Sequence, residues 1–199
     1  MRQQGLQGRV VKVTRRQPGL KRFKISGENL RLNQPEATRI NQVWVADITY
    51  LKVNYRWIYL ATIMDIYSRR TLGWSLSRTR TAELTLAALR YAMRQRNGQT
   101  PEIFHTDRGI EYTAYRYQDA LKKHGMLSSY NRPGYCTDNA HMESFYHSLK
   151  AEVIRGRCYE SESKLRLALN QYINHFYNHK RLHSALGYQP PAVYEKIAA

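Results

Sequence analysis

The stretch from Val43 to Leu51 restricts the fold of this chain more than any other. It reads Val-Trp-Val-Ala-Asp-Ile-Thr-Tyr-Leu, with β-prone residues on both faces. Such a run describes a central strand covered on each side. Asp47 interrupts it. A lone carboxylate inside a sheet costs several kcal/mol, so it needs a cation, a hydrogen-bond network or a metal. A structural aspartate satisfied by its neighbours is the plain alternative.

The rest of the chain supplies the partners. Trp57 to Ile66 and Thr71 to Leu76 follow as second and third strands, with Ser68-Arg69-Arg70 at the tip between them. Their short connections make an antiparallel meander. Ala82, Leu86, Leu89 and Met93 recur at helical intervals, with Thr81 placed to cap and Asn97-Gly98 to close. Ile103 to Thr106 is a short strand that ends at Asp107-Arg108-Gly109. A helix over 114–124, a brief strand at Leu127–Tyr130 and a loop at Asn131–Gly134 come next. Asp138 and Asn139 have the side chains of helix N-caps. The helix they would start carries the stripe Met142, Tyr146, Leu149 and Val153. A last helix is expected over about 162–177, and Pro190-Pro191 should break any helix beyond it.

Taken singly, the acidic residues are unremarkable. Asp107 suits an Asx-type turn. Glu143 lies off the apolar stripe, on one face with Asn139, His147 and Lys150, which on its own reads as a solvated surface. Their order says more. If the first and fourth strands are neighbours, Asp47 and Asp107 stand side by side, and a helix over that edge brings Glu143 to face them. Three hard oxygen ligands suit Mg²⁺ or Mn²⁺. Two such ions roughly 3.5–4 Å apart would activate an attacking oxygen and stabilise a leaving one.

Charge names the partner class. The chain has 32 Lys and Arg against 15 Asp and Glu, a formal charge of +17. That balance points to a polyanion, most often nucleic acid. A ribosomal or architectural protein would have it too. The excess is densest at the start, where Arg15, Arg16, Lys21 and Arg22 stand among Gly and Pro. Residues 1–35 read as a basic arm against phosphate, or as a solubilising tail, and residues 36–199 as the folded core. Arg132, Lys180 and Arg181 are further candidate DNA contacts. Cys136 and Cys158 form no CxxC pair, so neither a disulfide framework nor a zinc site is expected. No apolar run has transmembrane length and no signal segment is evident, so a cytoplasmic location is expected and no membrane partner.

These residues resemble a known family. Thirty-five residues separate Asp107 from Glu143, which is similar to the DDE motif of retroviral-type integrases and bacterial transposases. Asn41 to Tyr50, His105 to Tyr112, and Arg132 through Ser144 resemble the three acidic segments of the IS-three family of insertion-sequence transposases. Tyr177-Asn178 and Arg181 to Tyr188 look like its C-terminal signature. The resemblance covers residues 36–199. It implies a ribonuclease-H-like α/β fold, a mixed five-stranded sheet with helices on both faces. It implies that Asp47, Asp107 and Glu143 hold two Mg²⁺ or Mn²⁺ ions. The implied reaction is DNA cleavage at the terminal inverted repeats of an insertion sequence, then strand transfer into target DNA. His147 and Lys150 would touch DNA, and Asn139, on the same polar face, is a further candidate contact read from its spacing. The partners implied are double-stranded DNA in the nucleoid, further copies of the chain on it, and the DNA-binding product of an upstream frame. Two positions depart from the pattern: Ile110 stands where Ser is usual and Glu111 where Gln is usual, and Glu111 could add a fourth carboxylate. Asp65 is expected to be a structural turn residue. Met1 to Leu6 looks like the tail of a helical DNA-binding region. Two rival readings are a DNA-binding protein without catalysis and a ribonuclease H on the same fold; a glycosidase with paired carboxylates is remote.

Overall fold

The computed structural model of the chain describes residues 27–197, apart from Asn33, Tyr55 and the side chain of Cys136. Arg15, Arg16, Lys21 and Arg22 lie outside the described residues. Strands β1 (Val43–Val53), β2 (Arg56–Asp65) and β3 (Thr71–Ser77) form the expected meander. Strands β4 (Ile103–Thr106) and β5 (Leu127–Tyr130) complete one sheet in the order β3-β2-β1-β4-β5. The β1–β4 and β4–β5 pairs are parallel. Parallel neighbours need crossover connections. Helix α1 (Ala82–Gln95) supplies the first, and the single turn α2 (Ile110–Thr113) with helix α3 (Tyr115–Lys123) the second.

Alternation along β1 divides the core in two. Val45, Leu51 and Val53 pack with Phe145 and Leu149 of α4 (Ala140–Leu149) and with Leu165 of α5 (Glu162–Asn170). Trp44 and Ala46 pack on the other face with Leu89 of α1 and with Tyr117 and Leu121 of α3. The sheet is therefore covered on both sides, as the double-faced apolar run of β1 requires and as the resemblance implies. The expected helix over about 162–177 is α5 followed by wider π turns at Gln171–Tyr177. Helix α4 continues in the same way through Lys150–Ile154.

The chain end departs from expectation. Pro190-Pro191 does not stop helical structure; α6 (Pro191–Ile197) begins at the second proline. Proline is favoured at a first helical position, where its missing N–H is not needed. Helix α6 inserts the buried Glu195 between two arginines. Its carboxylate accepts from Arg70 Nη1 at 2.7 Å, Arg96 Nη1 at 2.9 Å and Ser68 Oγ at 2.6 Å. Burial pushes this carboxyl up, but the bonds from Arg96, Ser68 and Arg70 outweigh it and hold Glu195 below its ordinary value. Arg96 also reaches Asp65 at 3.2 Å. Asp65 accepts from the backbone N–H groups of Asn41 and Tyr67 at 2.8 and 3.0 Å, the structural turn role expected of it.

Candidate active site

The register of two parallel strands sets the site. β1 and β4 pair Val43 with Ile103, Trp44 with Phe104 and Val45 with His105. Two residues further along come Asp47 and Asp107, at equal height and on the same face. β4 stops there, while β1 runs on to Val53. The two carboxylates therefore stand in a notch beside a projecting hairpin. His105, two residues before Asp107, ties β4 to β5 and the loop after it: its Nδ1 meets Ser129 Oγ at 2.8 Å and its Nε2 meets Asn131 Oδ1 at 2.7 Å. Burial, aided by the charge of Arg31, lowers its pKa to about 4, so it is neutral there.

Helix α4 is tied across β1 on both sides of Asp47. Asn139 Nδ2 donates to the Ala46 carbonyl at 3.1 Å, and Tyr146 Oη donates to the Asp47 carbonyl at 2.6 Å. Glu143 lies between these anchors, four residues after one and three before the other, so it shares their side of the helix. Its side chain is exposed. Asp47 registers the company: burial, the charge of Asp107 and, less, that of Glu143 push its pKa up to about 7, against the Ile48 N–H and Arg80. Burial also raises Asp107, against the Gly109 N–H and Arg80. The carboxylates are thus close enough to repel one another, a condition that a divalent cation relieves. Among the described residues no three Asp, Glu, His or Cys groups are gathered into a finished metal cage. The donor chemistry fits a hard cation all the same: carboxylate oxygens only, two of them on fixed backbone and the third on an exposed helix face.

Arg80 was not foreseen. It lies between β3 and α1, and its Nε is 2.9 Å from Glu111 Oε1. Glu111 is buried beside Asp107. A Cβ on Gly109 would come within 2.8 Å of Asp107 Oδ1 and 2.9 Å of Glu111 Oε2, so a side chain there would push the two carboxylates from these positions. Glu111 is therefore a neighbour of the site already engaged by a cation. The one sequence signal for Arg80 was an arginine just before the Thr81 helix start.

The other candidate positions separate. His147 is exposed and Lys150 half-buried, both on the Glu143 side of the helix. Burial lowers the Lys150 pKa, against the pull of Asp47. Asn139 is a correction: it is buried, its amide is used on Ala46, and it does not belong to the exposed polar face. Neither it nor Asp138 caps α4 with its side chain. Asp138 instead takes Arg132 Nε and Nη2 at 3.1 and 2.9 Å, and Asn29 at 2.9 Å. These partners lie too far off in sequence, or in too irregular a loop, to outrank a cap on inspection. Arg132 also stacks over Tyr135 at 4.1 Å. Lys180 is exposed, whereas Arg181 pairs with Glu152 at 3.0 Å.

The Asp138 pair carries a pH signature. The bonds from Arg132 hold this carboxyl well below its ordinary value. A depressed carboxyl contributes stability above its unfolded pKa, about 3.9, that is lost as the pH falls. Asp138→Asn should lower stability by about 1–2 kcal/mol at pH 6, and the gap to wild type should close towards pH 2. Urea unfolding midpoints across that range check it; a gap that stays constant with pH would refute the assignment.

Comparison with known proteins follows this geometry. Residues 37–136 match the family model described as integrase core domain, and residues 124–191 match a second integrase core domain model. The transposase InsF for insertion sequence IS3A of Escherichia coli (strain K12) is 42% identical over 168 residues, 84% of this chain and 58% of the relative. The transposase for insertion sequence element IS904 of Lactococcus lactis subsp. lactis (strain IL1403) is 39% identical over 161 residues, 81% of this chain and 64% of the relative. The chain thus spans a little under two thirds of the length of these relatives. Among solved structures, a chain of the simian T-cell lymphotropic virus intasome in complex with PP2A regulatory subunit B56 gamma superposes with a TM-score of 0.68 at 17% identity, covering 89% of this chain and 60% of that one. The HTLV-2 integrase catalytic core domain in complex with magnesium gives 0.61 at 15% identity, covering 79% of this chain and 97% of that one. These two likenesses show the fold, a ribonuclease-H-like core. Among the described residues no helix is long and apolar enough to cross a membrane.

Proposed function

Because the chain belongs to the integrase core family, with IS3-type transposases as its relatives, we propose that it cuts and joins DNA at the ends of an insertion sequence. The observation that carries this reading is the register that sets Asp47 beside Asp107 under the helix bearing Glu143. These three carboxylates would hold Mg²⁺ or Mn²⁺, in a pair of ions. Such ions, when bound, help deprotonate an attacking oxygen and stabilise a leaving one.

The balance of the reaction is simple. Water oxygen attacks the phosphorus at the element's end, the P–O3′ bond breaks, and a 3′-hydroxyl is released with its proton. That hydroxyl then attacks a second phosphodiester, whose own 3′-oxygen leaves. No protein atom is bonded to DNA at any point. The side chains position. The exposed His147 of α4 and the half-buried Lys150 just past its end grip phosphates flanking the reacting one, and Lys180 adds charge at a distance. Arg80 keeps Glu111 out of the ligand set and steadies the Asp107 turn. DNA ends come in pairs, so further copies of the chain should assemble on them.

Cleavage of duplexes carrying the inverted repeats that flank its gene, with Mg²⁺ or Mn²⁺, tests the proposal. DNA binding without any cutting in either metal would leave a DNA-binding protein. Preferential cutting of an RNA–DNA hybrid would make it a ribonuclease.

Lys150 separates grip from chemistry. It sits seven residues past Glu143, roughly 10 Å along the helix at 1.5 Å per residue. Lys150→Ala should lower strand transfer of pre-cut ends on the order of a hundredfold, because a misplaced end reacts poorly. Mn²⁺ binding followed by calorimetry should be unchanged. Loss of Mn²⁺ binding with normal DNA affinity would move Lys150 into the metal site instead.

A further inference from the structure

The projecting end of the β1–β2 hairpin carries two large exposed aromatic rings. Tyr50 is 48% and Trp57 51% exposed, whereas the chain's other tryptophans, Trp44 and Trp74, are 0% and 9% exposed. The two rings meet edge to face, with centroids 5.0 Å apart and planes at 90°. Lys52, the cross-strand partner of Trp57, holds its Nζ 5.8 Å from the Trp57 ring. Lys150 Nζ lies 5.1 Å from the Tyr50 ring and also feels the charge of Asp47. Two aromatic faces framed by two ammonium groups therefore stand at the edge of the carboxylate notch.

We propose that Tyr50 and Trp57 form a stacking platform for an unpaired nucleobase of the DNA next to the reacting phosphate. The inference rests on the DNA-processing reading of the site. The rings and the two ammonium groups together make a surface that is both aromatic and positively charged. They suit a ligand that offers both negative charge and π faces, and a single DNA strand offers both. A base inside a duplex hides its faces against its neighbours, so the occupant must be unpaired or terminal. Tyr50 is three residues past Asp47 on an extended strand, about 10 Å at roughly 3.3 Å per residue, and so springs from the opposite face of β1. That distance is a reach of two or three nucleotides at about 3.4 Å each. Lys150, which feels Asp47 and lies 5.1 Å from the Tyr50 ring, spans the two around the edge of β1 beyond the end of β4. The platform thus lies where a strand end frayed at the carboxylates and led past Lys150 around the edge of β1 would place its bases.

The probe is a duplex with a four-nucleotide single-stranded 3′ tail, bearing 2-aminopurine at each tail position in turn. The full chain is used without metal, so that no cleavage occurs. Wild type should quench the 2-aminopurine at one or two adjacent positions. The Tyr50→Ala/Trp57→Ala variant should leave it bright and bind the tailed duplex roughly tenfold more weakly, with affinity for a blunt duplex unchanged. Tyr50→Phe/Trp57→Phe should restore quenching, which separates stacking from any loss of fold. Equal fluorescence for wild type and the alanine variant, with DNA bound by both, overturns the platform and leaves the DNA reading standing. No binding of either duplex by wild type overturns both. A change from dimer to monomer in the alanine variant by sedimentation, without a change in quenching, would assign the rings to a second copy of the chain and overturn the platform.

Discussion

Asp107→Asn should yield a folded, DNA-bound protein that no longer cuts. Asparagine keeps the shape of the side chain and an oxygen for the Gly109 N–H, which now meets Asp107 Oδ1 at 2.9 Å. It removes a charge from the ligand set. Loss of several kcal/mol of stabilisation at the reacting phosphate is expected, and about 4 kcal/mol is roughly a thousandfold in rate. The basic surface is untouched, so DNA affinity should stay within about twofold. A second readout follows from the raised carboxyl of Asp107. A group whose folded pKa is above its unfolded value costs stability once the pH exceeds the unfolded value. The neutral asparagine lifts that cost, so the variant should melt at or slightly above wild type near pH 7 without added metal. Cleavage at the wild-type rate would remove Asp107 from the ligand set.

Glu195→Ala should be the largest change in stability. It deletes the acceptor shared by Arg96, Arg70 and Ser68. Arg96, only 7% exposed at its side chain, would keep Asp65 alone. Breaking a buried pair by removing one partner typically costs about 3–5 kcal/mol. For a chain of this size each kcal/mol lowers the melting temperature by roughly 2–4 °C. A fall of about 6–12 °C or more is expected in thermal unfolding, and Glu195→Gln, which retains acceptors, should lose less. A melting temperature within the error of wild type would mean that α6 is not fastened to the sheet through this residue.

The sheet was legible because its strands obey local rules. Val43 to Leu51 needed two buried faces, and the short links after it forced antiparallel neighbours. The meeting of Asp47 with Asp107 was legible from their order along the strands, once β1 and β4 were taken as neighbours. What escaped reading depends on contacts between distant segments. Asp138 and Asn139 have the chemistry of caps, yet Arg132, Asn29 and the Ala46 carbonyl compete for their side chains and win. Arg80 and Glu111 meet only because the fold brings the α1 start beside the α2 turn. Nothing local in the sequence marks Glu195, because the three groups that engage it come from two other segments. Pro190-Pro191 was read as a stop because proline's role depends on whether a helix is entering or leaving.

The parallel offset between β1 and β4 has a consequence for heritable change. Asp47 and Asp107 meet because both strands keep the same parity from Val43 and Ile103 onward. The connection between α1 and β4 has no part in that match, so codons gained or lost near Gln99 should be tolerated. One residue gained between Val43 and Asp47 would turn the aspartate to the α1 face, however conservative the insertion. Length variation in such a lineage should therefore collect in the connecting loops and stop at the strand ends.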